Sequence, residues 1–148
     1  MIRLSVIIKY YLYFFLLIDA FSGFIRIYSG ITNPIFNIGY WVRGPILVLL
    51  LYYYLIQLKK RKLFIDEFLA LVIFAYFIFN LFLNYTIMPS SRMIIENITY
   101  ILRQQFLIFL LVYIRNRLTF SDALVKKVIM VNFSVLTLNL VFGYFLGF

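Results

Sequence analysis

Five apolar stretches follow one another along the chain, each about as long as a bilayer is thick. They cover residues about 5–27, 41–58, 64–85, 93–114 and 128–148. A transmembrane helix needs about 20 mostly apolar residues, whereas a transmembrane strand shows about ten residues of alternating polarity. Because lipid offers the backbone no hydrogen bonds, a helix must satisfy its own polar groups. The pattern predicts an all-α, polytopic transmembrane bundle of about five spans, a single helical region over 1–148.

The residues beside these stretches predict where helices begin. Pro45 suits the first turn of the second helix, because a proline there loses no hydrogen bond that the helix needs. Asp66 and Glu67 suit the first turn of the third helix, where acidic side chains face the positive end of the helix dipole. Ser121 and Asp122 are residues that cap helices, and they predict a short amphipathic lead-in before the fifth span.

Lysines and arginines divide unequally between the two sides of the predicted bundle. With four spans before Lys127, one side holds ten of them: Arg3, Lys9, Lys59, Lys60, Arg61, Lys62, Arg115, Arg117, Lys126 and Lys127. The other side holds Arg26, Arg43 and Arg92, while Arg103 falls within a span. Because connections rich in basic residues stay in the cytoplasm, this bias predicts a cytoplasmic N-terminus.

Composition supports a lipid environment. Hydrophobic residues make up 66% of the chain and charged residues 13%, whereas a soluble domain is about half apolar and a quarter charged. The net charge of +9 would suggest nucleic acid in a soluble protein. Here the cations cluster between spans, so we expect them to set topology and to contact membrane lipids, with no nucleic-acid partner.

Missing residue types limit the chemistry. The sequence has no cysteine and no histidine, which excludes disulfides, thiolate catalysis and imidazole bases within these residues. No Gly-rich phosphate loop, nucleophile elbow or metal-ligand spacing is present, so we expect no metal and no cofactor. Asp19 and Glu96 are the carboxylates off the cytoplasmic side, and their spacing matches no catalytic pair.

Arg103 is the most informative residue, because it falls near the middle of the fourth stretch. An arginine at that depth is costly and should face the bundle interior with a partner. We predict an intramembrane pair between Arg103 and Asp19, which lies inside the first stretch. Glu96, Tyr100 and Gln104 fall on the same helical stripe as Arg103. Arg103 either helps to bind an anionic ligand, such as a lipid-linked phosphate, or forms a structural ion pair.

Three further arginines are predicted at the outer interface. Arg26, Arg43 and Arg92 could together with Arg103 hold a diphosphate, since the guanidinium fork matches phosphate oxygens. Each could instead reach towards lipid headgroups. Polar residues also share helix faces inside the third and fifth stretches, and they are predicted to hydrogen-bond between helices, with a small residue easing close approach. They are Asn80 and Asn84 in the third stretch, and Asn132, Asn139 and Gly143 in the fifth.

The end of the first stretch, residues 17–26, reads LIDAFSGFIR and precedes a Pro-containing connection, a second span and a Lys/Arg stop. This resembles the N-terminal portion of the O-antigen polymerase and O-antigen ligase superfamily. The resemblance implies a protein of ten or more spans that joins glycans carried on undecaprenyl diphosphate. It also implies the periplasmic face of the bacterial inner membrane, polysaccharide biosynthesis such as that of lipopolysaccharide, and other polysaccharide-assembly membrane proteins as partners.

The sequence departs from that family in one respect. The large periplasmic loop that usually carries the family's key arginines and histidines would follow Phe148. No catalytic residue is therefore transferred, and Arg26, Arg43, Arg92 and Arg103 are diphosphate-binding candidates by location. We expect the chain to be the front part of a metal-independent glycosyltransferase, inactive alone, because the fifth stretch ends without a polar flank.

Two alternatives come from other functional classes. The chain could belong to a membrane transporter or a flippase for lipid-linked sugars, although the inner halves of its spans carry few charges. It could also be a non-enzymatic scaffold in which polar residues only join helices.

Overall fold

The computed structural model describes the backbone of residues 4–29, 38–87, 91–119 and 121–146. It describes the side chains of these ranges except residues 26–29, 87, 91–94, 101 and 142–146. Five α-helices lie in the described part of the chain: α1 Leu4–Ser29, α2 Ile38–Lys59, α3 Ile65–Ile87, α4 Ser91–Arg117 and α5 Asp122–Leu146. Each is long and apolar enough to cross a membrane. The predicted all-helical class and the five spans are thereby confirmed.

One helix start differs from the prediction and one agrees with it. Helix α2 begins at Ile38, so Pro45 lies inside the helix and the prediction that it occupies the first turn is wrong. Helix α5 begins at Asp122 and contains both the predicted lead-in and the fifth span. Ser121 caps it as expected, since its hydroxyl oxygen accepts a hydrogen bond from the Leu124 N–H at 3.3 Å. Lys126 and Lys127 interrupt the apolar run without ending the helix.

The helices divide between two compact units. Unit 1 consists of Met1–Gly39 and Thr119–Phe148 and contains α1 and α5. Unit 2 consists of Tyr40–Leu118 and contains nearly all of α2 together with α3 and α4.

In unit 1, Asn132 of α5 joins the two helices through the backbone of α1. Its Nδ2 donates to the Leu12 carbonyl at 2.9 Å, and its Oδ1 accepts from the Leu16 N–H at 3.3 Å. Nδ2 also donates to the Val128 carbonyl of its own helix at 2.8 Å. The Asn132 side chain is buried. The interhelical role predicted for Asn132 is confirmed, and it is directed at backbone groups rather than at another side chain. Asn139, predicted to share this role, is exposed.

In unit 2, the three helices alternate in direction. Phe74 and Tyr54 both contact the ring of Phe109 in the middle of α4. Near the end of α4, Arg117 contacts Glu67 at the start of α3, so α3 and α4 are antiparallel. Earlier in α4, Arg103 contacts Tyr40 near the start of α2, so α2 and α4 are parallel.

This alternation gives unit 2 two distinct ends. The Arg61 end contains residues 59–62 and Arg117, whose Nη2 donates to the Lys62 carbonyl at 2.9 Å. The Tyr40 end contains Tyr40, Arg43 and Arg103. Large apolar side chains such as Ile65 and Phe82 stay exposed along α3. For helices of this apolar composition, lipid is the solvent that these surfaces require.

The first testable prediction concerns orientation. Because the basic loop 59–62 and the Arg117 end of α4 lie at one end of unit 2, positive charge should keep this end in the cytoplasm. The chain has no native cysteine, so each introduced thiol is the sole reporter. We expect Lys60→Cys to react with a membrane-impermeant maleimide only after permeabilisation, and Thr86→Cys to react in intact cells. The opposite labelling pattern would reverse the predicted topology.

The second prediction concerns Asn132. Asn132→Leu removes the bonds to α1 and should lower the free energy of unfolding by about 1 kcal/mol, a typical value for an interhelical polar contact in a membrane. The measurement is thermal unfolding in detergent micelles. Asn139→Leu, at an exposed position of the same helix, is the matched control and should change stability little. Equal effects of the two substitutions would contradict the role of the Asn132 bonds.

Candidate functional site

Two of the four predicted arginines lie at the Tyr40 end of unit 2. Nη2 of Arg103 donates to the hydroxyl oxygen of Tyr40 at 3.1 Å. Arg43 is half-buried and follows Tyr40 by three residues in the same helix, a spacing that places two side chains on one face. Helices α2 and α4 therefore bring Arg43 and Arg103 to one region of the surface.

Arg103 starts within the apolar part of α4 but reaches towards its end. Its α-carbon is eight residues beyond Ile95, where the span begins, which corresponds to about 12 Å along the helix axis. Tyr40, its partner, is in the first turn of α2. The guanidinium is exposed. The long side chain thus carries its charge from the interior of the span towards the level at which α2 begins, as membrane arginines commonly do.

The bond between Tyr40 and Arg103 is compatible with binding of an anion beside them. In the bond with Arg103, the phenol oxygen is the acceptor, so its O–H can still donate to another group. The phenol is neutral and leaves the positive charge of Arg103 uncompensated by this bond. Two guanidinium groups and one hydroxyl donor are a combination that suits phosphate oxygens.

The other predicted site residues are not brought into this group by the described contacts. Asp19 is exposed in α1 and belongs to unit 1, whereas Arg103 belongs to unit 2. The Asp19–Arg103 pair therefore stays a prediction. The side chains of Arg26 and Arg92 lie outside the described residues.

The predicted polar stripe of α4 is exposed. Glu96, Tyr100, Arg103 and Gln104 all belong to this surface, as their spacing of three and four residues indicated. The neighbouring Gln105 is on the opposite, buried side, only 1% exposed. Its amide nitrogen and oxygen have no hydrogen-bond partner within the described part of the chain.

The Arg61 end contains an ion pair that sequence reasoning missed. Nε and Nη2 of Arg117 donate to Oε1 and Oε2 of Glu67, each at 2.8 Å. The Glu67 side chain is fully buried and that of Arg117 is 20% exposed. Two parallel, charge-assisted hydrogen bonds are the strongest arrangement that these side chains form. The pair joins the first turn of α3 to the last turn of α4.

Additional contacts fix this pair in place. The guanidinium of Arg117 lies over the ring of Phe64 at 4.5 Å from the centroid. Oε2 of Glu67 also accepts the N–H of Phe64 at 3.0 Å, which satisfies a donor at the start of α3. Beside the pair, Asp66 accepts a hydrogen bond from Asn116 at 2.8 Å. The predicted first-turn position of Asp66 and Glu67 is confirmed, and both bind α4.

A signal for this pair exists in the sequence. Acidic residues open the third apolar stretch, and basic residues close the fourth. Because consecutive spans joined by a short connection are antiparallel, these two ends must meet at one membrane surface. Which acidic residue becomes buried depends on how each helix is rotated about its axis, and the apolar pattern of these nearly uniform helices does not specify that rotation.

Comparisons with known proteins add no relative. No protein-family model, curated protein sequence or solved structure matched this chain.

The third prediction concerns the Glu67–Arg117 pair. Glu67→Ala leaves the Arg117 charge without its partner and should lower the free energy of unfolding by about 3 kcal/mol, the low end for a broken buried pair because Arg117 is partly exposed. Thermal unfolding in micelles measures the change. Arg115→Gln is the control: its side chain is 80% exposed and 3.9 Å from Asp66, so the cost should stay below about 1 kcal/mol. Similar losses in both variants would contradict the importance of the buried pair.

Proposed function

We propose that this chain is the N-terminal membrane region of a bacterial surface-polysaccharide polymerase or ligase. In this proposal it acts on undecaprenyl-diphosphate-linked glycans at the periplasmic face of the inner membrane. The observation that carries the proposal is the hydrogen bond between Arg103 and Tyr40. This bond joins Arg103 to a phenol hydroxyl at the end of unit 2 opposite the basic loop 59–62, and Arg43 follows Tyr40 by one helical turn.

The proposed reaction explains why arginines are useful at this position. A sugar hydroxyl of the acceptor attacks the anomeric carbon of the donor glycan, a new C–O bond forms, and the bond to the lipid diphosphate breaks. The proton of the attacking hydroxyl passes to the departing diphosphate or to water. Negative charge develops on the departing diphosphate. Guanidinium groups already positioned at that charge stabilise it without rearranging when it forms. The chain itself supplies donors to phosphate and no nucleophile.

Each residue of the group has a distinct task in this proposal. Arg103 binds phosphate oxygens through its remaining N–H donors. Tyr40 orients Arg103 by accepting one hydrogen bond, and its O–H donates a hydrogen bond to a phosphate oxygen. Arg43, one turn further along α2, adds the second positive charge.

The depth of the group suits a lipid-linked substrate. Tyr40 lies in the first turn of an apolar helix, near the level at which headgroup phosphates meet the hydrocarbon. A polyprenyl diphosphate has its charged group at this level and its chain among the apolar helices. Phospholipid phosphates share this chemistry, and the experiment separates the two by measuring a glycan product.

The fourth prediction tests this proposal in the natural reading frame, in cells whose surface polysaccharide depends on it. Arg103→Gln and Arg43→Gln each remove charge-assisted hydrogen bonds that contribute about 1.5–3 kcal/mol. We expect each to lower the polymerisation or ligation rate at least tenfold and to shorten or abolish the surface glycan on gels. Tyr40→Phe should give a smaller loss, because it keeps the aromatic ring.

The matched control is Arg115→Gln, which removes an exposed arginine at the Arg61 end. It should leave glycan length unchanged. Immunoblots must show equal protein levels in all strains. A double Arg43→Gln, Arg103→Gln variant that makes glycan of normal length at a normal protein level would overturn the proposal. In that case the arginines contact ordinary lipid headgroups.

A further inference from the structure

The turn between α2 and α3 holds an arginine where a glycine is normally found. After α2, the Arg61 N–H donates to the Leu58 carbonyl at 3.0 Å, and the Lys62 N–H donates to the Gln57 carbonyl at 2.9 Å. These two bonds define a Schellman motif, whose C′ residue has a left-handed backbone. That residue is Arg61, with φ of 53°. Side chains other than glycine and asparagine are disfavoured there, so the geometry alone does not explain an arginine.

The charge of the turn offers a reason for this choice. Lys59, Lys60, Arg61 and Lys62 are consecutive and all exposed. Two carboxylates face this end from α3, and both are engaged: Glu67 by Arg117, and Asp66 by Asn116, with Arg115 at 3.9 Å. These carboxylates therefore neutralise little of the positive charge of residues 59–62, which remains available to groups outside the protein.

The turn is also fixed on both sides. The carbonyl of Lys62 accepts a hydrogen bond from Arg117 at 2.9 Å, and the same guanidinium is bound by the buried Glu67. Phe64, two residues on, lies against Arg117 and donates its N–H to Glu67. A flexible basic tail must become ordered when it binds a ligand. The backbone of this turn is already held by the contacts described above, and this lowers the entropic cost of binding.

We propose that residues 59–62 form a preorganised site for the phosphate of an anionic phospholipid headgroup, with Arg61 at its centre. The turn joins two membrane-spanning helices directly, so it lies at the level of the headgroups. Anionic headgroups attract basic residues beside a span, and the arginine fork binds phosphate oxygens bidentately. This inference does not depend on the proposed glycan chemistry, which uses the opposite end of unit 2.

The fifth prediction compares the purified protein in nanodiscs of phosphatidylcholine with and without phosphatidylglycerol, using native mass spectrometry for bound lipid and thermal unfolding for stability. Arg61→Gly should raise the melting temperature in phosphatidylcholine, because glycine relieves the left-handed conformation. The same variant should bind phosphatidylglycerol about fivefold more weakly than the wild type, the loss expected for one basic residue at an anionic surface. Arg61→Lys should fall between the two.

Two controls distinguish binding at residues 59–62 from a nonspecific attraction between anionic lipid and any basic residue. Lys126→Gln removes one exposed cation from α5 and should leave phosphatidylglycerol binding at the Arg61 site unchanged. Inorganic phosphate added to phosphatidylcholine nanodiscs should not stabilise the protein. The proposal is overturned if Arg61→Gly binds phosphatidylglycerol as tightly as the wild type, or if Lys126→Gln loses as much phosphatidylglycerol binding as Arg61→Gly. It is also overturned if free phosphate stabilises the protein as much as phosphatidylglycerol does.

Discussion

The ion pair between Glu67 and Arg117 is the interaction on which the arrangement of unit 2 most depends. It joins the positive end of the α3 dipole, through a buried carboxylate, to the negative end of the α4 dipole, through a guanidinium, so each charge is favourable in its own helix as well as in the pair. The same guanidinium fixes the carbonyl of Lys62 and so orients the turn from α2. One arginine thereby connects three helices at one surface.

Much of the fold follows from hydrophobic length alone. Five stretches of about 20 apolar residues gave five helices, because lipid leaves the backbone no other way to satisfy its polar groups. Ser121 and Asp122 correctly marked the start of α5, ahead of its apolar run. The error concerned the start of α2. Pro45 lies inside α2 because the helix starts earlier than its apolar stretch.

The basic residues of the candidate site could be chosen from the sequence by type, but the contact between Arg103 and Tyr40 could not. The sequence singled out Arg43 near the outer interface and Arg103 near the middle of a span, and both lie towards the Tyr40 end of unit 2. The Asp19–Arg103 pair stays a prediction, and the described contact of Arg103, with Tyr40 63 positions away, was not predicted. Nothing in the sequence distinguishes Tyr40 from the other tyrosines of this chain, of which there are 13 in all. Partner choice depends on helix rotation and on the reach of a long side chain, and neither leaves a clear periodic signal.

The bonds from Asn132 to α1 have a consequence for biogenesis. The two bonded groups lie 116 and 120 positions earlier in the chain. At typical rates of synthesis, Asn132 is added roughly 6–24 seconds after the segment that it will bind. During that interval α1 must remain in the membrane, or beside the insertion machinery, with its contact surface unoccupied by α5. A translation pause between the fourth and fifth spans would therefore lengthen the time for which the first span is open to competing partners.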